Sequence, residues 1–490
     1  MGFIGFWNCS KEIAYYGIGD NVRMWEFRNF YNKIALISDN NEQITYKELE
    51  EEGNKLANII GERCLVFSLC TNSIGSVIGY TGSLNHNIVP VLLNAKMDSE
   101  SLENLMITYQ PSYLWVPKDI NQYFKECQEV FQSYNYVLLK TNYNCKVSMY
   151  RELGLLLTTS GSTGSPKLVR QSYTNILENA KSIVEYLELD DTERPITTLP
   201  MNYTYGLSII NSHLLVGATI LLTDSKLMLK EFWQFFKDEK ATSFGGVPYT
   251  YEMLAKLRFF RMDLPHLRYM TQAGGKLLPD LHRQYAEYAQ NTNKKFIVMY
   301  GQTEATARMG YLPAEYSLKK YGSMGIAIPG GEFSIIDVDG TVIAEPERVG
   351  ELVYEGPNVT MGYAQCIDDL AKGDEWNGKL HTGDMVKRDE EGFYYIVGRK
   401  KRFLKIYGNR VNLDEAERII KDNFTEVDCA CAGEDDHLSV YVTESDVQLH
   451  EKIKTCLSEK TKLNPGAFSI VYIEKIPKNE AGKTLYSDLK

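Results

Sequence analysis

The chain has 490 residues, which is long for one hydrophobic core and predicts two or more domains. Its 53 lysines and arginines and 64 aspartates and glutamates give a formal net charge of −11, which argues against a general nucleic-acid binder because such proteins are usually basic. No apolar run reaches the roughly 18 residues of a membrane span, and the start shows no signal-peptide pattern, so we expect a cytoplasmic protein without a membrane span.

The first predicted helix covers 44–60, where apolar residues recur at helical spacing. Leu49, Leu56, Ile59 and Ile60 would form its apolar side. Short buried strands and a second helix alternate along the next part of the chain, and such alternation favours parallel sheets covered by helices. The predicted strands lie at 64–70, 88–94, 153–160, 218–223 and 295–300, and the second helix lies at 175–189.

Beyond this alternating part, the pattern changes to short strands with turn signals. A hairpin is predicted at 333–343 on an Asp-Gly turn, and the last part of the chain predicts a small unit of helices and strands. We therefore expect an α/β protein with a large N-terminal domain of helix-covered sheets at 1–400. This domain would include a small antiparallel β unit at about 325–397, and a small α+β C-terminal domain would follow at 401–490.

The nine cysteines are scattered without a CxxC pair, and the seven histidines are dispersed as well. This spacing argues against a disulfide framework and against a zinc site. We therefore expect free thiols in a reducing compartment.

A glycine- and hydroxyl-rich loop, LTTSGSTGSPK at 157–167, lies between a predicted strand and the second predicted helix. It lacks the GK[ST] of a Walker A loop. Its glycines still allow backbone N–H groups to point inward together, and Ser160, Ser162, Thr163 and Lys167 add hydroxyl donors and a cation. Such a loop suits a polyphosphate. The alternative, a flexible linker, seldom stands between a buried strand and an amphipathic helix.

This loop resembles the phosphate-binding signature of the AMP-forming adenylating enzymes, the superfamily of acyl-CoA ligases, peptide-synthetase adenylation domains and luciferases. Eight further segments also match, and together with the loop they span about 44–484, nearly the whole chain, in the order found in the family. The eight segments that resemble motifs of that family are ITYKELEEEGNKLA, LPMNYTYGL, QAGGKLLP, MYGQTEA, YGSMGIAIPG, LHTGDMV, GRKKRFLKIYGNRVNLDEAE and IPKNEAGKTL.

The resemblance implies a two-step reaction. ATP would activate a carboxylic acid to an acyl-adenylate with release of pyrophosphate, with Mg²⁺ as cofactor. The acyl group would then pass to a phosphopantetheine thiol, which belongs either to coenzyme A or to an acyl carrier protein. The N-terminal domain would bind AMP, and the C-terminal domain would be mobile and carry the catalytic lysine.

The resemblance also implies roles for individual residues. Thr303 would donate to the α-phosphate, Glu304 would hold Mg²⁺, and Lys483 would bridge the attacking carboxylate and the α-phosphate. Asp384 would accept both ribose hydroxyls, and Lys401 would be the hinge of the mobile domain. The implied nucleotide-binding residues are Thr159, Ser160, Gly161, Ser162, Thr163, Gly164, Lys167, Gly274, Gly275, Tyr300, Asp384 and Arg399.

The substrate pocket lacks the carboxylate that amine-binding relatives carry. Thr204 occupies that position, and an unpaired ammonium there would be costly, which favours a non-amino acid with an acyl or aryl chain. Fatty acid metabolism is the expected setting. Amino-acid adenylation with loading of a carrier protein is the alternative. The residues expected to line the pocket are Tyr203, Thr204, Gly245, Val247 and Met309.

Two other classes of function stay open at this point. A kinase-like phosphotransferase could use the same loop, but it would release ADP, and the chain lacks GK[ST] while carrying the Lys483 segment. A non-catalytic nucleotide-binding scaffold could keep the fold. Such a scaffold would be free to lose the residues implied for binding and catalysis, and all of these are present: Thr303, Glu304, Asp384, Arg399 and Lys483.

Overall fold

The computed structural model describes residues 23–143, 148–158, 167–406, 409–424, 426–434, 436–478 and 484–489. No helix among these residues is both long and apolar enough to cross a membrane. The α-helices in these ranges are α1 (Tyr46–Ile60), α2 (Ile74–Asn85), α3 (Ser99–Tyr109), α4 (Tyr173–Leu187), α5 (Thr204–Val216), α6 (Lys230–Asp238), α7 (Pro248–Lys256), α8 (Pro279–Asn291), α9 (Leu413–Asn423) and α10 (Val447–Thr461).

The strands of the described ranges belong to two large and three small sheets. In chain order they are β1 (Ile34–Ser38), β2 (Gln43–Thr45), β3 (Leu65–Cys70), β4 (Val89–Asn94), β5 (Tyr113–Pro117), β6 (Gln128–Ser133), β7 (Tyr136–Lys140), β8 (Leu153–Thr158), β9 (Leu168–Ser172), β10 (Pro195–Ile196), β11 (Ile220–Leu222), β12 (Ser243–Gly246), β13 (Tyr269–Gln272), β14 (Lys295–Tyr300), β15 (Gly310–Tyr311), β16 (Ile326–Ala327), β17 (Glu332–Ile336), β18 (Gly350–Glu355), β19 (Tyr363–Ala364), β20 (Lys379–Arg388), β21 (Tyr394–Arg399), β22 (Phe403–Ile406), β23 (Asn409–Asn412), β24 (Cys429–Glu434), β25 (His437–Val442) and β26 (Phe468–Tyr472).

The two large sheets are parallel in their centres and antiparallel at their margins. One has the order β19-β9-β8-β4-β3-β5-β7-β6, with β8, β4, β3 and β5 parallel. The other has the order β16-β15-β14-β13-β12-β10-β11-β1-β2, parallel from β14 to β1. The predicted α/β class with helix-covered sheets is therefore confirmed.

Helices between the two large sheets form a shared core. One apolar cluster contains side chains of β1 and β11, of β4 and β8, and of α1, α2, α4 and α5. Residues 74–84 of α2 are buried without exception, which explains why this helix shows no polar face. Burial on both sides of the parallel strands likewise explains their continuous apolar runs.

Within the described residues, the later part of the chain forms three smaller sheets. β17, β18, β20 and β21 make an antiparallel sheet, as expected for the small β unit. β22 pairs with β23, and β24, β25 and β26 form a sheet that packs with α9 and α10. The main apolar cluster of this last part draws its buried residues from 404–468, and a smaller cluster contains Ala430, Tyr441, Ile476 and Leu489. The domain boundary at 400 and 401 remains a prediction.

Helix α1 agrees with its predicted span, but its apolar side differs by one residue. Buried positions follow helical spacing at 46, 49, 50, 53, 56, 57 and 60. Ile59 falls outside this series and is 47% exposed, so the expectation that it packs inward is wrong. Thr45 and Glu48 form a capping box at the start of the helix.

The element that follows the glycine-rich loop differs from the prediction. A helix was expected directly after the loop, but β9 (Leu168–Ser172) precedes α4 and pairs antiparallel with β8. The loop therefore joins two neighbouring strands. The sequence LVRQS was hard to identify as a strand because it carries Arg170 at its centre. This side chain is fully buried, and its charge is compensated by hydrogen bonds to backbone carbonyls and by an ion pair with Glu375.

Candidate active site

A buried carboxylate, Asp384, lies where strands of two sheets meet. Asp384 on β20 is 4% exposed, and its backbone register partner on β21 is Arg399. The Arg399 Nε donates to Asp384 Oδ1 at 3.1 Å. The hydroxyl of Tyr300 and the side-chain amide of Gln302 donate to Oδ2 at 2.5 and 2.8 Å. Three donors therefore fix the orientation of this carboxylate, and a carboxylate has about four acceptor positions.

Tyr300 reaches this carboxylate because it ends β14, a strand buried from Phe296 onward. Burial, followed by the nearby Asp384 carboxylate, raises the pKa of Tyr300 far above its usual value. The phenol therefore stays protonated and can donate. Thr382 supports the same position, because its hydroxyl accepts from the backbone N–H of Asp384 at 3.1 Å.

A second group of polar residues joins Glu304 to Lys167. Glu304 lies in the 3₁₀ turn Thr303–Ala305, directly after β14. The hydroxyl of Tyr363 donates to Glu304 Oε1 at 2.8 Å, and the Lys167 Nζ lies 3.2 Å from the centre of the Tyr363 ring. Tyr363 is placed there because β19 pairs with β9, which begins one residue after Lys167. Burial and the Glu304 carboxylate raise the pKa of this tyrosine.

The chain reverses tightly between Tyr300 and Met309. A Cβ added at Gly301 would lie 1.5 Å from the carbonyl oxygen of Ala307, so only glycine permits this close approach. The buried amide of Asn358 fastens the turn by donating to the carbonyls of Ala305 and Arg308 at 2.8 Å each. The geometry of this loop is therefore set by contacts to its backbone, one from within the loop and two from the side chain of Asn358.

The glycine pair follows β13 at the same edge of the sheet. Gly274 has φ +82°, and an added Cβ would lie 2.8 Å from the Tyr203 hydroxyl oxygen and 3.0 Å from Val247 Cγ1. Gly274 thus lies against two of the predicted pocket residues, and Gly275 lies against Pro248. Because β12, β13 and β14 are parallel, the loops that follow them meet at one edge, where α/β proteins commonly bind ligands.

A small cavity of about 20 Å³ lies between α4, α5 and strands β12 to β14. Such a volume holds about one water molecule. Gly245, which was predicted to line the substrate pocket, lines this cavity. Other lining residues are Ser208, His213, Tyr269, Met299 and Arg308.

The remaining predicted pocket residues lie in three places. Tyr203 and Val247 pack in the apolar cluster that also contains Tyr205 and Met299. Thr204 is the first residue of α5 and is buried. Met309 is fully buried in a different cluster, together with Tyr300. Their roles as substrate contacts stay predictions.

Several predicted residues lie outside the described part of the chain. These are Thr159, Ser160, Gly161, Ser162, Thr163, Gly164 and Lys483. Lys401 has a described backbone, in the 3₁₀ turn Lys400–Arg402 that follows β21, and its hinge role is a prediction. Two contacts bridge this junction: Arg399 N donates to Asp414 Oδ2 at 3.3 Å, and Asn412 Nδ2 donates to the Val397 carbonyl at 2.8 Å.

Three residues of this region did not stand out in the sequence. Gln302 and Tyr363 contact predicted site residues, and Arg308 lines the cavity. Gln302 occupies the variable position of the MYGQTEA motif, and Tyr363 lies outside every matched motif. The only sequence signal for Arg308 was its position four residues after Glu304.

No cluster of three or more histidine, cysteine, aspartate or glutamate side chains that could enclose a metal occurs in the described ranges. The seven cysteines there are free thiols. A single carboxylate such as Glu304 fits Mg²⁺, which proteins usually hold through one or two carboxylates together with substrate phosphates. The donors present therefore suit a magnesium–nucleotide complex better than an all-protein metal cage.

Comparison with known proteins places these features in context. A family model described as AMP-binding enzyme matches residues 25–364. The chain is 28% identical over 345 residues to peroxisomal OPC-8:0-CoA ligase 1 of Arabidopsis thaliana, a match that covers 68% of this chain and 63% of that protein. It is 25% identical over 480 residues to 2-succinylbenzoate–CoA ligase of Bacillus pumilus, with 94% and 95% covered.

Solved structures with the same fold include O-succinylbenzoate coenzyme A synthetase from Bacillus subtilis in complex with AMP. That structure superposes with a TM-score of 0.74 at 22% identity and covers 94% of this chain and 95% of its own. An anthranilate CoA ligase in complex with anthranoyl-AMP superposes with a TM-score of 0.77 at 19% identity, with 96% and 97% covered. The fold expected from the sequence is thereby confirmed.

Proposed function

This chain belongs to the AMP-binding enzyme family, and we propose that it activates a carboxylic acid with ATP and transfers the acyl group to coenzyme A. The resemblance on which the expectation rested is confirmed, and so is the enzyme class, an AMP-forming acid–thiol ligase. The relatives give no support to the alternative of amino-acid adenylation. Release of pyrophosphate and AMP follows from this class.

The observation that carries the proposal is the convergence of motifs that lie far apart in the chain. Tyr300, Asp384 and Arg399 form one hydrogen-bonded group, although nearly a hundred residues separate the first from the last. Lys167 and Glu304 approach each other through Tyr363. A nucleotide presents ribose hydroxyls and phosphates. The group around Asp384 offers an acceptor for the hydroxyls, and the group around Lys167 offers a cation for the phosphates.

Asp384 is suited to the ribose. Its carboxylate accepts hydrogen bonds, and the donors around it hold it in one orientation. One ribose hydroxyl could donate to its remaining acceptor position, and the second would take the place of one of the present donors. Arg399, whose side chain is half exposed, would contribute its other N–H groups on the phosphate side.

Lys167 and Glu304 are suited to the phosphates. The Lys167 ammonium rests on an aromatic face, which attracts it without neutralising its charge. Bound Mg²⁺ would offset the negative charge of the phosphates next to Glu304. Thr303, in the same 3₁₀ turn, would donate to the α-phosphate.

The acid must approach the α-phosphate although both groups are anions. Their repulsion has to be offset by donors and cations placed where negative charge develops. Lys483 is proposed for this task, together with the 159–164 loop for the outer phosphates. The mobile 401–490 domain would bring Lys483 to the site and turn it away for thioester formation.

The identity of the acid and of the acceptor are separate parts of the proposal. Coenzyme A is preferred over an acyl carrier protein because the relatives are named as CoA ligases, for OPC-8:0, 2-succinylbenzoate and oxalate among others. These names do not support the expected setting in fatty acid metabolism, which is not part of the proposal. A cytoplasmic location stays a prediction.

The test is to incubate the purified protein with ATP, Mg²⁺ and a panel of carboxylic and amino acids. Acid-dependent exchange of labelled pyrophosphate into ATP should occur, and added coenzyme A should yield AMP and a thioester. A holo acyl carrier protein serves as the matched acceptor. Release of ADP would contradict the proposal in favour of a phosphotransferase, and the absence of any acid-dependent nucleotide turnover would favour a scaffold.

A further inference from the structure

One buried cation, Arg308, lies at the cavity without a carboxylate partner. Arg308 is 3% exposed, and no ion pair joins its guanidinium to an aspartate or glutamate among the described residues. The other fully buried arginine of the large domain, Arg170, pairs with Glu375. A buried charge is costly unless a counter-charge compensates it, so an unpaired arginine here needs an explanation.

The contacts of Arg308 leave part of its guanidinium unsatisfied. The guanidinium carbon lies 4.0 Å from the centre of the Tyr205 ring, and Arg308 also interacts with the hydroxyl of Tyr186. Its Nε is buried and has no hydrogen-bond partner in the described structure. Stacking on Tyr205 orients the guanidinium but supplies no negative charge.

The backbone holds Arg308 in this place. Its carbonyl accepts hydrogen bonds from the buried amides of Asn179 and Asn358 at 3.0 and 2.8 Å. The residue before it, Ala307, has φ 108°, an unfavourable value for a residue with a side chain. The backbone of Arg308 is thus held in one position by a constrained loop.

The cavity beside Arg308 contains no other charge. Among the described residues that line it, only Arg308 is formally charged. His213 is neutral, since burial lowers its pKa to about 4. Its Nδ1 donates to the Ile209 carbonyl at 2.7 Å, and its Nε2 accepts from the Tyr269 hydroxyl at 3.0 Å. The remaining lining is apolar or hydroxylated, so an anion in this cavity would meet one cation and no repulsive group.

We propose that Arg308 is the specificity-determining residue of the acid pocket and selects acids that carry a second carboxylate. This inference rests on the proposed function and deepens it. One carboxylate of the substrate is activated at the nucleotide, and the other pairs with the Arg308 guanidinium beside the Tyr205 ring. The cavity in front of Arg308 has a volume of only about 20 Å³, room for about one water molecule, so the distal carboxylate has to displace the side chains around it. We therefore expect the acid to be short.

The test compares acids that differ only in the charge of the distal group. Succinate is compared with succinamate and glutarate with glutaramate, and butyrate and benzoate represent uncharged chains. Acid-dependent formation of AMP and thioester is measured for each acid with the wild-type protein. The ratio of kcat/KM within each pair should favour the dicarboxylate by at least about tenfold, because the amide cannot compensate the buried cation.

Two variants link this ratio to Arg308. Arg308→Gln should reduce the preference for the dicarboxylate to near unity, and Arg308→Lys should restore part of it because it restores the charge. Arg283→Gln is the matched control, since Arg283 is exposed on α8 and pairs with Glu287. This control should leave the ratio at the wild-type value.

The outcomes separate the inference from the proposed function. Faster turnover of the amides, butyrate or benzoate than of the dicarboxylates by the wild-type protein would overturn the role of Arg308 and leave the ligase activity established. This comparison needs no variant, so it stands even where Arg308→Gln fails to fold. An equal loss for all acids in Arg308→Gln also overturns the inference. Absence of AMP formation with every acid would overturn the ligase function itself and the inference with it.

Discussion

The hydroxyl of Tyr300 donates a hydrogen bond to Asp384 Oδ2 at a distance of 2.5 Å. These two residues come from different sheets, since Tyr300 ends β14 and Asp384 lies in β20. The bond therefore fastens the small antiparallel sheet to the edge of the nine-stranded sheet at the point where the nucleotide is expected. Because burial keeps the phenol protonated, this bond persists across the physiological pH range.

Replacing Asp384 with asparagine should weaken ATP binding. The amide would offer one acceptor oxygen in place of two and would leave either Arg399 or the pair Tyr300 and Gln302 without its acceptor, at a cost of about 2 kcal/mol, or roughly thirtyfold in affinity. Pyrophosphate exchange at graded ATP concentrations measures this as a raised KM for ATP. The matched control is Asp238→Asn, at an exposed carboxylate on α6. An unchanged KM for ATP in Asp384→Asn would remove the ribose role.

Replacing Glu304 with glutamine should raise the magnesium requirement. The change keeps an acceptor for the Tyr363 hydroxyl but removes the negative charge that holds the ion. Half-maximal exchange should then need at least about tenfold more Mg²⁺. Glu315→Gln, at an exposed glutamate on a neighbouring turn, is the control and should behave as the wild type. Equal magnesium titrations for both variants would place the ion elsewhere.

Replacing Lys401 with proline should separate the two half-reactions. Proline fixes φ near −65° and restricts Lys400, so the 3₁₀ turn after β21 could adopt only one of the two conformations that the mobile domain needs. Single-turnover measurements should show acyl-adenylate formation and its consumption by thiol affected to very different extents. Lys401→Ala, which removes the side chain without fixing φ, is the control. Equal losses in both steps of the proline variant would argue against a hinge at this residue.

The buried histidine His282 predicts how stability depends on pH. Burial lowers the pKa of His282 from 6.5 to about 4. Its Nδ1 accepts from the backbone N–H of Gly322 at 3.0 Å, and its Nε2 faces the Ser317 hydroxyl at 3.1 Å. In the unfolded chain this imidazole takes up a proton as the pH falls below 6.5, whereas in the folded chain it does so only near pH 4. Its contribution to folding stability is therefore complete above pH 6.5 and is lost as the pH falls from 6.5 to 4.

The loss from this one group between about pH 8 and pH 5 should be about 2 kcal/mol. Urea unfolding at both pH values should show that His282→Gln removes about this part of the pH dependence, since glutamine can keep both polar contacts without titrating. His266→Gln, at an exposed histidine, is the control. The same pH dependence in His282→Gln as in the wild type would show that His282 is not buried as a neutral group.

Site residues could be predicted from the sequence where they belong to a local motif, and they were missed where contacts between distant segments place them. Residues within ordered motifs, such as Glu304 and Asp384, could be named because their segments resemble motifs of the adenylating enzymes. Tyr363 could not, because its role depends on β19 pairing with β9 across the sheet. Arg308 could not, because arginines are usually exposed and its burial depends on residues that are distant in the chain, such as Tyr205.

The fold was predicted where periodicity was strong and missed where long-range contacts decided. The buried strand Leu65–Cys70 and the amphipathic helix Tyr173–Leu187 are clear in the sequence. β9 was missed because the central Arg170 reads as a loop residue, and its charge is compensated by Glu375 and by carbonyls from a segment about 200 residues further along the chain. Such compensation leaves no local pattern.

The central claim is that a carboxylate oxygen of the acid attacks the α-phosphate of ATP. It is tested most directly with an acid from the active panel that carries ¹⁸O in both oxygens of its carboxylate, incubated with ATP, Mg²⁺ and coenzyme A. Mass spectrometry of the products should find one ¹⁸O atom in each AMP and none in pyrophosphate, because the acyl-adenylate is cleaved by the thiol at its carbonyl carbon. AMP without ¹⁸O, or ¹⁸O in inorganic phosphate accompanied by ADP, would contradict the claim.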